Sequence, residues 1–272
     1  MRIAEWIQLA FVTLLAVAAC VRPLGNSRRL RVLMLAMIAM AAIFAARFSE
    51  RWLSPLGSSV LRDWLPAVLL LVPYWQVGQF FTAPDGRMEE RLATFDRRFF
   101  AVLGIAPERI NLGRAFAAYM QFAYVMVYPL IPLGLVALYT LHLRSHVDDY
   151  WSVVLPATYI CFATTLFVRA LPPRLLAGYP TFRLPATSFG ALNREILGRA
   201  SIQAITFPSG HVSSAMGAAL VLLRLDLWVG LLFLWIALSI AAATIVGGYH
   251  YAADVLLALV IALAVFALTL CI

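Results

Sequence analysis

The chain has 272 residues, of which 63% are hydrophobic and only 12% charged, whereas a soluble domain is nearer half apolar and a quarter charged. This excludes a soluble globular protein and implies an integral membrane protein of several spans, each about 20 residues long. The formal charge is +8 and all 21 basic residues are arginine, which excludes lysine chemistry such as a Schiff base or a P-loop lysine. The arginines are scattered between apolar runs, so membrane lipid headgroups, and not nucleic acid, are the expected counterpart.

Ile3 to Val21 reads as a first, retained span and Arg22 to Arg31 as a turn with Pro23, Gly25 and four arginines. Val32 to Phe48 is the second span, Glu50 to Arg62 a polar loop, and Trp64 to Phe81 a third span interrupted by Pro73, Gln76 and Gln79. In the polar segment Thr82 to Arg114, residues Met88 to Leu103 place Leu92, Phe95, Phe99, Phe100 and Leu103 near one helical face, which predicts an amphipathic helix lying in the interface. Ala115 to Leu141 and Trp151 to Val168 are the fourth and fifth spans. Arg169 to Thr206 is a long connection rich in proline and arginine. His211 to Leu223, Leu227 to Val246 and His250 to Leu270 complete a polytopic all-α bundle of about eight spans. Residues 1–81 are expected to be accessory and residues 82–272 catalytic. This count puts both termini at one end of the bundle, and the turn 22–31, the loop 82–114, His211 and His250 at the other. Cys20, Cys161 and Cys271 have neither disulfide nor zinc spacing and are expected as small buried hydrophobes. No metal or cofactor is implied.

Two polar clusters stand at the edges of apolar segments: Phe207-Pro208-Ser209-Gly210-His211, and Gly247-Gly248-Tyr249-His250-Tyr251-Ala252-Ala253-Asp254. The apolar hairpin between them returns to the end it started from. His250 and Asp254 are spaced i, i+4, on one side of a helix, so the carboxylate can fix the imidazole tautomer and raise its basicity. Ser209 and Gly210 open a helix, and free N–H groups there bind anions. A histidine beside such a cradle can protonate a leaving oxygen. The set suits attack on a phosphate ester by a histidine.

Pro-Ser-Gly-His at 208–211, followed by His-x-x-x-Asp at 250–254, resembles the type 2 phosphatidic acid phosphatase superfamily over roughly residues 90 to 272. His-Tyr-x-x-Asp-Val at 250–255 looks like the branch of lipid phosphatases, inositol phosphorylceramide synthases and sphingomyelin synthases, and Pro-Pro-Arg at 172–174 is similar to that of the inositol phosphorylceramide synthase-like members. The resemblance implies a six-helix catalytic core that includes an interfacial helix, and a metal-independent reaction. His250 would attack phosphorus, Asp254 would orient it, and His211 would protonate the departing oxygen. Ser209, the Gly210 amide and Arg174 would hold the phosphoryl oxygens, with Arg169 among the loop arginines that could add charge. The substrate would be a phospholipid or polyprenyl phosphate. Hydrolysis would make the chain a lipid phosphatase; transfer to an alcohol would make it a phosphotransferase.

The chain departs from the family's pattern in two places. The first motif, Lys-x6-Arg-Pro, has Phe167 and Leu175 flanking Arg174, and the Ser-Arg that often precedes the last histidine is Ala243-Thr244. Arg169, Arg183, Arg194 or Arg199 could supply the missing charge from the loop; otherwise a diester, which carries less charge than a monoester, would favour the transferase branch, and the expectation is hydrolysis of a lipid phosphate or diphosphate. The family's usual extracytoplasmic site competes with the arginines of turn 22–31, which draw that end inward; the expectation is extracytoplasmic. The rival classes are a transporter, a catalytically inactive scaffold and, last, a haloperoxidase-type site.

Overall fold

A computed structural model describes residues 1–202 and 204–271; residue 203 of the 169–206 connection and residue 272 at the end of the catalytic segment lie outside the described residues. The described chain is helical, with no strand. The first helix, α1 (Ile3–Val21), matches the expected span, while α2 (Asn26–Arg47) starts earlier than expected and takes in Arg28, Arg29 and Arg31. The early start is supported by bonds from arginines to carbonyls at helix ends. Arg29 reaches Ala19 O (3.0 Å), Arg28 reaches Phe81 O (2.6 Å), and Arg22 reaches Leu166 O (2.7 Å). Guanidinium groups are favoured beside such unsatisfied carbonyls.

The expected polar loop 50–62 is largely helix instead. Ser54 caps α3 (Pro55–Leu69) by accepting from Gly57 N–H, with proline at the first helical position. The charged Arg62 and Asp63 are held by partners: Arg62 binds Glu5 (2.6 Å), and Asp63 binds Arg2 and Arg144 (the latter at 2.7 Å). The helix breaks at Leu70 and resumes as α4 (Leu71–Gly78), because Pro73 has no N–H for the Leu69 carbonyl.

Helix α5 (Gly86–Val102) forms where an amphipathic helix was expected, but its buried face is Leu92, Ala93, Asp96 and Phe100, and Phe95 and Leu103 are exposed. The expected fourth span is two helices, α6 (Arg114–Val125) and α7 (Val127–Thr140), bent by 62°. Pro129 cannot bond the Val125 carbonyl, and the kink falls there. Next come α8 (Val147–Thr165), α9 (Ser188–Ala200), α10 (Gly210–Leu225), α11 (Leu227–Val246) and α12 (Ala252–Thr269). Helix α9 lies within the stretch expected to be a loop; Thr187 caps it by accepting from Gly190 N–H at 3.0 Å.

By length and composition five helices, or six if the bent pair counts as one, can cross a membrane. The two helices that fall short, α8 and α10, form the centre of the bundle. Eleven side chains of the 16-residue α10 are buried, many of them Ser, Ala or Gly, so neighbouring backbones approach closely. Ser213 adds a bond to Ala157 O at 2.9 Å. Surrounded by protein, these two helices have little contact with lipid, and neither great length nor an apolar surface is demanded of them. The cysteine expectation is corrected too: Cys161 is buried, but Cys20 and Cys271 are exposed.

Contacts sort the connections into two ends. Turn 22–31, residues 79–85, residues 166–174 and the Gly248 turn bond one another. The Arg2–Asp63–Arg144 cluster lies at the other end with the N-terminus. Helix α1 packs into the catalytic bundle, with Phe11 stacked on Tyr159 at 4.3 Å.

Candidate active site

The turn before His250 follows from two glycines. Tyr249 N–H bonds Thr244 O (2.9 Å) and Gly248 N–H bonds Ile245 O (3.0 Å), with Gly248 at φ +62°. This is the left-handed helix stop that glycine permits. A Cβ on Gly248 would lie 3.2 Å from Arg174 Cβ, so the position needs glycine for space as well. His250 N–H also bonds Thr244 O (3.2 Å), and the buried imidazole places Nδ1 3.0 Å from Asp254 Oδ2. That oxygen also accepts from Tyr251 N–H at 3.3 Å, while Oδ1 is buried without a partner.

His211 stands opposite, its ring centroid 6.2 Å from that of His250 and nearly perpendicular to it. The chain leading to it is laced to the end of α8 through Ile205 N–H to Ala170 O (3.1 Å) and Phe207 N–H to Thr165 Oγ1 (2.9 Å). Three tyrosines surround the ring: Tyr74, Tyr124 and Tyr128, at 6.3–6.4 Å between centroids. His211 Nδ1 is buried and has no hydrogen-bond partner among the described residues.

The expected anion cradle at the start of α10 is mostly occupied. Ser209 Oγ accepts from Val212 N–H (3.4 Å), and Gly210 N–H donates to Thr206 Oγ1 (3.2 Å). Gly210 is required for a steric reason: a Cβ would meet the Phe162 ring at 2.6 Å. Among the first amides of α10, only His211 N–H has no bond among the described residues. Arg174 does come to the site. Its N–H bonds Gly248 O (3.0 Å) and its guanidinium lies 4.8 Å over the Tyr249 ring, a ring on which Tyr124 also stacks at 3.7 Å. Arg169 is exposed and turned toward Thr82 Oγ1 (3.3 Å); no contact among the described residues joins it to the histidines. Ala243 and Thr244, where the family's pattern has Ser-Arg, are buried under the Tyr124–Tyr249 stack and in the α11 stop.

Two further groups shape the site. Gln121 accepts from Tyr249 OH (2.9 Å) and from Asn193 of α9 (2.7 Å). A Thr187 cap followed by Leu192, Ile196 and Leu197 was the sequence signal for α9. Asp96 caps α12, accepting from Ala252 N–H (3.0 Å) and Ala253 N–H (3.4 Å), and it also accepts from Tyr179 OH. It therefore fixes the helix that carries Asp254, a role that an amphipathic reading of α5 does not reveal.

Burial pushes the Asp96 carboxyl from 3.8 up to about 6, outweighing the three hydrogen bonds that draw it down. Between those values the folded state holds a proton that the unfolded state lacks, so Asp96 supports folding most below pH 4, and this support fades as pH rises through 6. The difference between wild type and Asp96→Asn in unfolding stability, followed by thermal melts in detergent, should shrink by roughly 2–3 kcal/mol from pH 4 to pH 7. A pH-independent difference would rule out titration of Asp96 in that range.

A family model described as the PAP2 superfamily matches residues 90–268. Comparison with curated proteins and with solved structures gives no match. The matched stretch spans more than half of the chain and contains both histidines, Asp254, Arg174 and Asp96, and its superfamily points to phosphatase-type chemistry on lipid phosphates. By that match, the chain belongs to the PAP2 superfamily.

Proposed function

We propose that this membrane protein is a lipid phosphatase that works through a phosphohistidine on His250. The observation that carries the reading is the buried His250–Asp254 pair at 3.0 Å facing the His211 ring across the site. With Asp254 accepting the Nδ1 proton, His250 Nε2 keeps its lone pair directed away from the carboxylate. Nε2 attacks phosphorus, the N–P bond forms, and the P–O bond to the lipid alcohol breaks as His211 delivers a proton to the departing oxygen. Water then attacks phosphorus, gives its proton to His211, and releases phosphate and free His250. The His211 N–H and Arg174 are the donors for the phosphoryl oxygens; Ser209 and Gly210 shape the start of the helix. This chemistry requires no metal or cofactor.

A second reading, transfer to an alcohol, draws support from Ala243-Thr244 standing where the family's pattern has an arginine, a loss that suits a diester better than a more highly charged monoester. One assay separates the two. Purified protein in detergent with EDTA is offered phosphatidic acid, polyprenyl diphosphate, and phosphatidylinositol with ceramide. Free phosphate marks the phosphatase, a new phospholipid without free phosphate marks the transferase, and neither product leaves the inactive scaffold or the transporter.

The reading places the site on the extracytoplasmic face. The end away from the site carries Arg2, Arg47, Arg51, Arg62, Arg144 and Arg224, and turn 22–31 at the site end carries Arg22, Arg28, Arg29 and Arg31. The other eleven arginines of the site end lie in the segments 86–114 and 169–199 that build the site; counted with them, the rule of cytoplasmic arginine draws the site end inward, and the extracytoplasmic placement rests on the usual arrangement of the superfamily. Glu108→Cys, in a chain with Cys20 and Cys271 replaced by serine, should react with an impermeant maleimide in intact cells. Labelling only after permeabilisation would reverse the orientation.

A further inference from the structure

We propose that α3 and α4, which lie outside the family match, form one wall of a pocket for the substrate's hydrocarbon tail and set which tails are accepted. This rests on the phosphatase reading and extends its site into the membrane. A cavity of about 630 Å³ runs from His211 outward between α3–α4 and α7, a size ordinary for ligand sites. Trp64, Ala67 and Leu71 line one side and Val127 and Ile131 the other. The α7 wall follows the 62° bend at Met126 before Pro129.

Its chemistry is graded along its length. No carboxylate or arginine lines it; the polar groups near His211 include Tyr74 and Tyr128. Val68, Leu71 and Trp75 line the cavity yet are 65%, 47% and 39% exposed, so they form its mouth. In a membrane such a mouth, formed by apolar side chains, opens sideways to lipid. A phosphate ester whose head must lie between His211 and His250 can leave its tail only in an apolar space continuous with them, and this cavity meets His211 directly. The family core alone would leave the pocket without its outer wall.

Filling the cavity tests the assignment. Full-length Ala67→Trp in phosphatidylcholine vesicles is assayed on a short-tailed, soluble alkyl phosphate and on a long-tailed one. The long-to-short ratio of kcat/KM should fall by at least about tenfold, the equivalent of excluding about two methylenes from an apolar site. Leu71→Trp at the mouth repeats the test should Ala67→Trp fail to fold. Independently, a long alkyl phosphate bearing a tail diazirine is photolysed on the His250→Asn chain, and label is expected within 64–75 and 127–132. An unchanged ratio in a folded variant means that bulk lipid fills the cavity and overturns the proposal, as does label confined to the outer faces of α1 and α2. If wild type releases phosphate from neither ester, the phosphatase reading fails, and the position of the label still decides the pocket.

Discussion

Phosphate release falls by at least about four orders of magnitude in His250→Asn, while the protein still folds. The choice of asparagine over alanine follows from Asp254. Its Oδ2 is buried and accepts from His250 Nδ1 and Tyr251 N–H, and its Oδ1 already has no partner. Truncation to alanine leaves a buried carboxylate with one backbone donor, and breaking a buried pair in this way costs about 3–5 kcal/mol. A lost activity could then be a lost fold. The asparagine amide can donate to Oδ2 but has no basic nitrogen to attack phosphorus. The expected pattern is therefore loss of turnover in both variants, with a clear drop in the thermal midpoint for alanine only. Phosphate release surviving in His250→Asn would remove the phosphohistidine from the mechanism.

The parts of this structure that were legible in the sequence are those fixed by local chemistry. The His250–Asp254 pair was expected from its i, i+4 spacing on one side of a helix; the two do pair, but His250 lies in the turn before α12 and Asp254 in its first turn, so the contact comes from the helix start and not from a shared helical face. The limits of α1 and α11 followed from uninterrupted apolar runs. What the sequence hid depended on distant partners. Arg62 and Asp63 read as loop because isolated charges do not enter apolar helices; Glu5, Arg2 and Arg144, far away in the chain, change that. Arg28, Arg29 and Arg31 looked like a turn for the same reason. The α6–α7 kink was written in Pro129, but a long apolar run concealed it. Asp96 looked like the polar side of an interfacial helix, and only the packing of α5 on α12 turned it inward to the Ala252 and Ala253 amides. At the site, the Ser209–Gly210 turn was recognised, yet a sequence cannot show that Thr206 and Ser209 occupy most of the donors that the motif seems to offer.

His211→Ala should separate the two halves of the reaction. His211 differs from His250 in having no carboxylate: its Nδ1 is unpartnered, and its neighbours are Tyr74, Tyr124, Tyr128 and His250. Its removal strands no buried charge, and it borders an existing cavity, so the variant should fold. With an alkyl phosphate the leaving alkoxide is strongly basic and needs a proton in the transition state, and losing a general acid there costs about 10²–10⁴ in rate. A nitrophenyl phosphate leaves as a weakly basic phenolate and needs no such help, so attack by His250 should proceed at a rate within about tenfold of wild type. Hydrolysis of the intermediate still calls for His211 as base toward water. The variant should thus release one equivalent of nitrophenol in a burst, then stall, with acid-labile phosphate bound to the chain. Rapid quench with labelled phosphate reads both quantities. Equal losses on the two esters, or a burst without bound phosphate, would take His211 out of proton transfer and leave it as one more ring packed among the tyrosines.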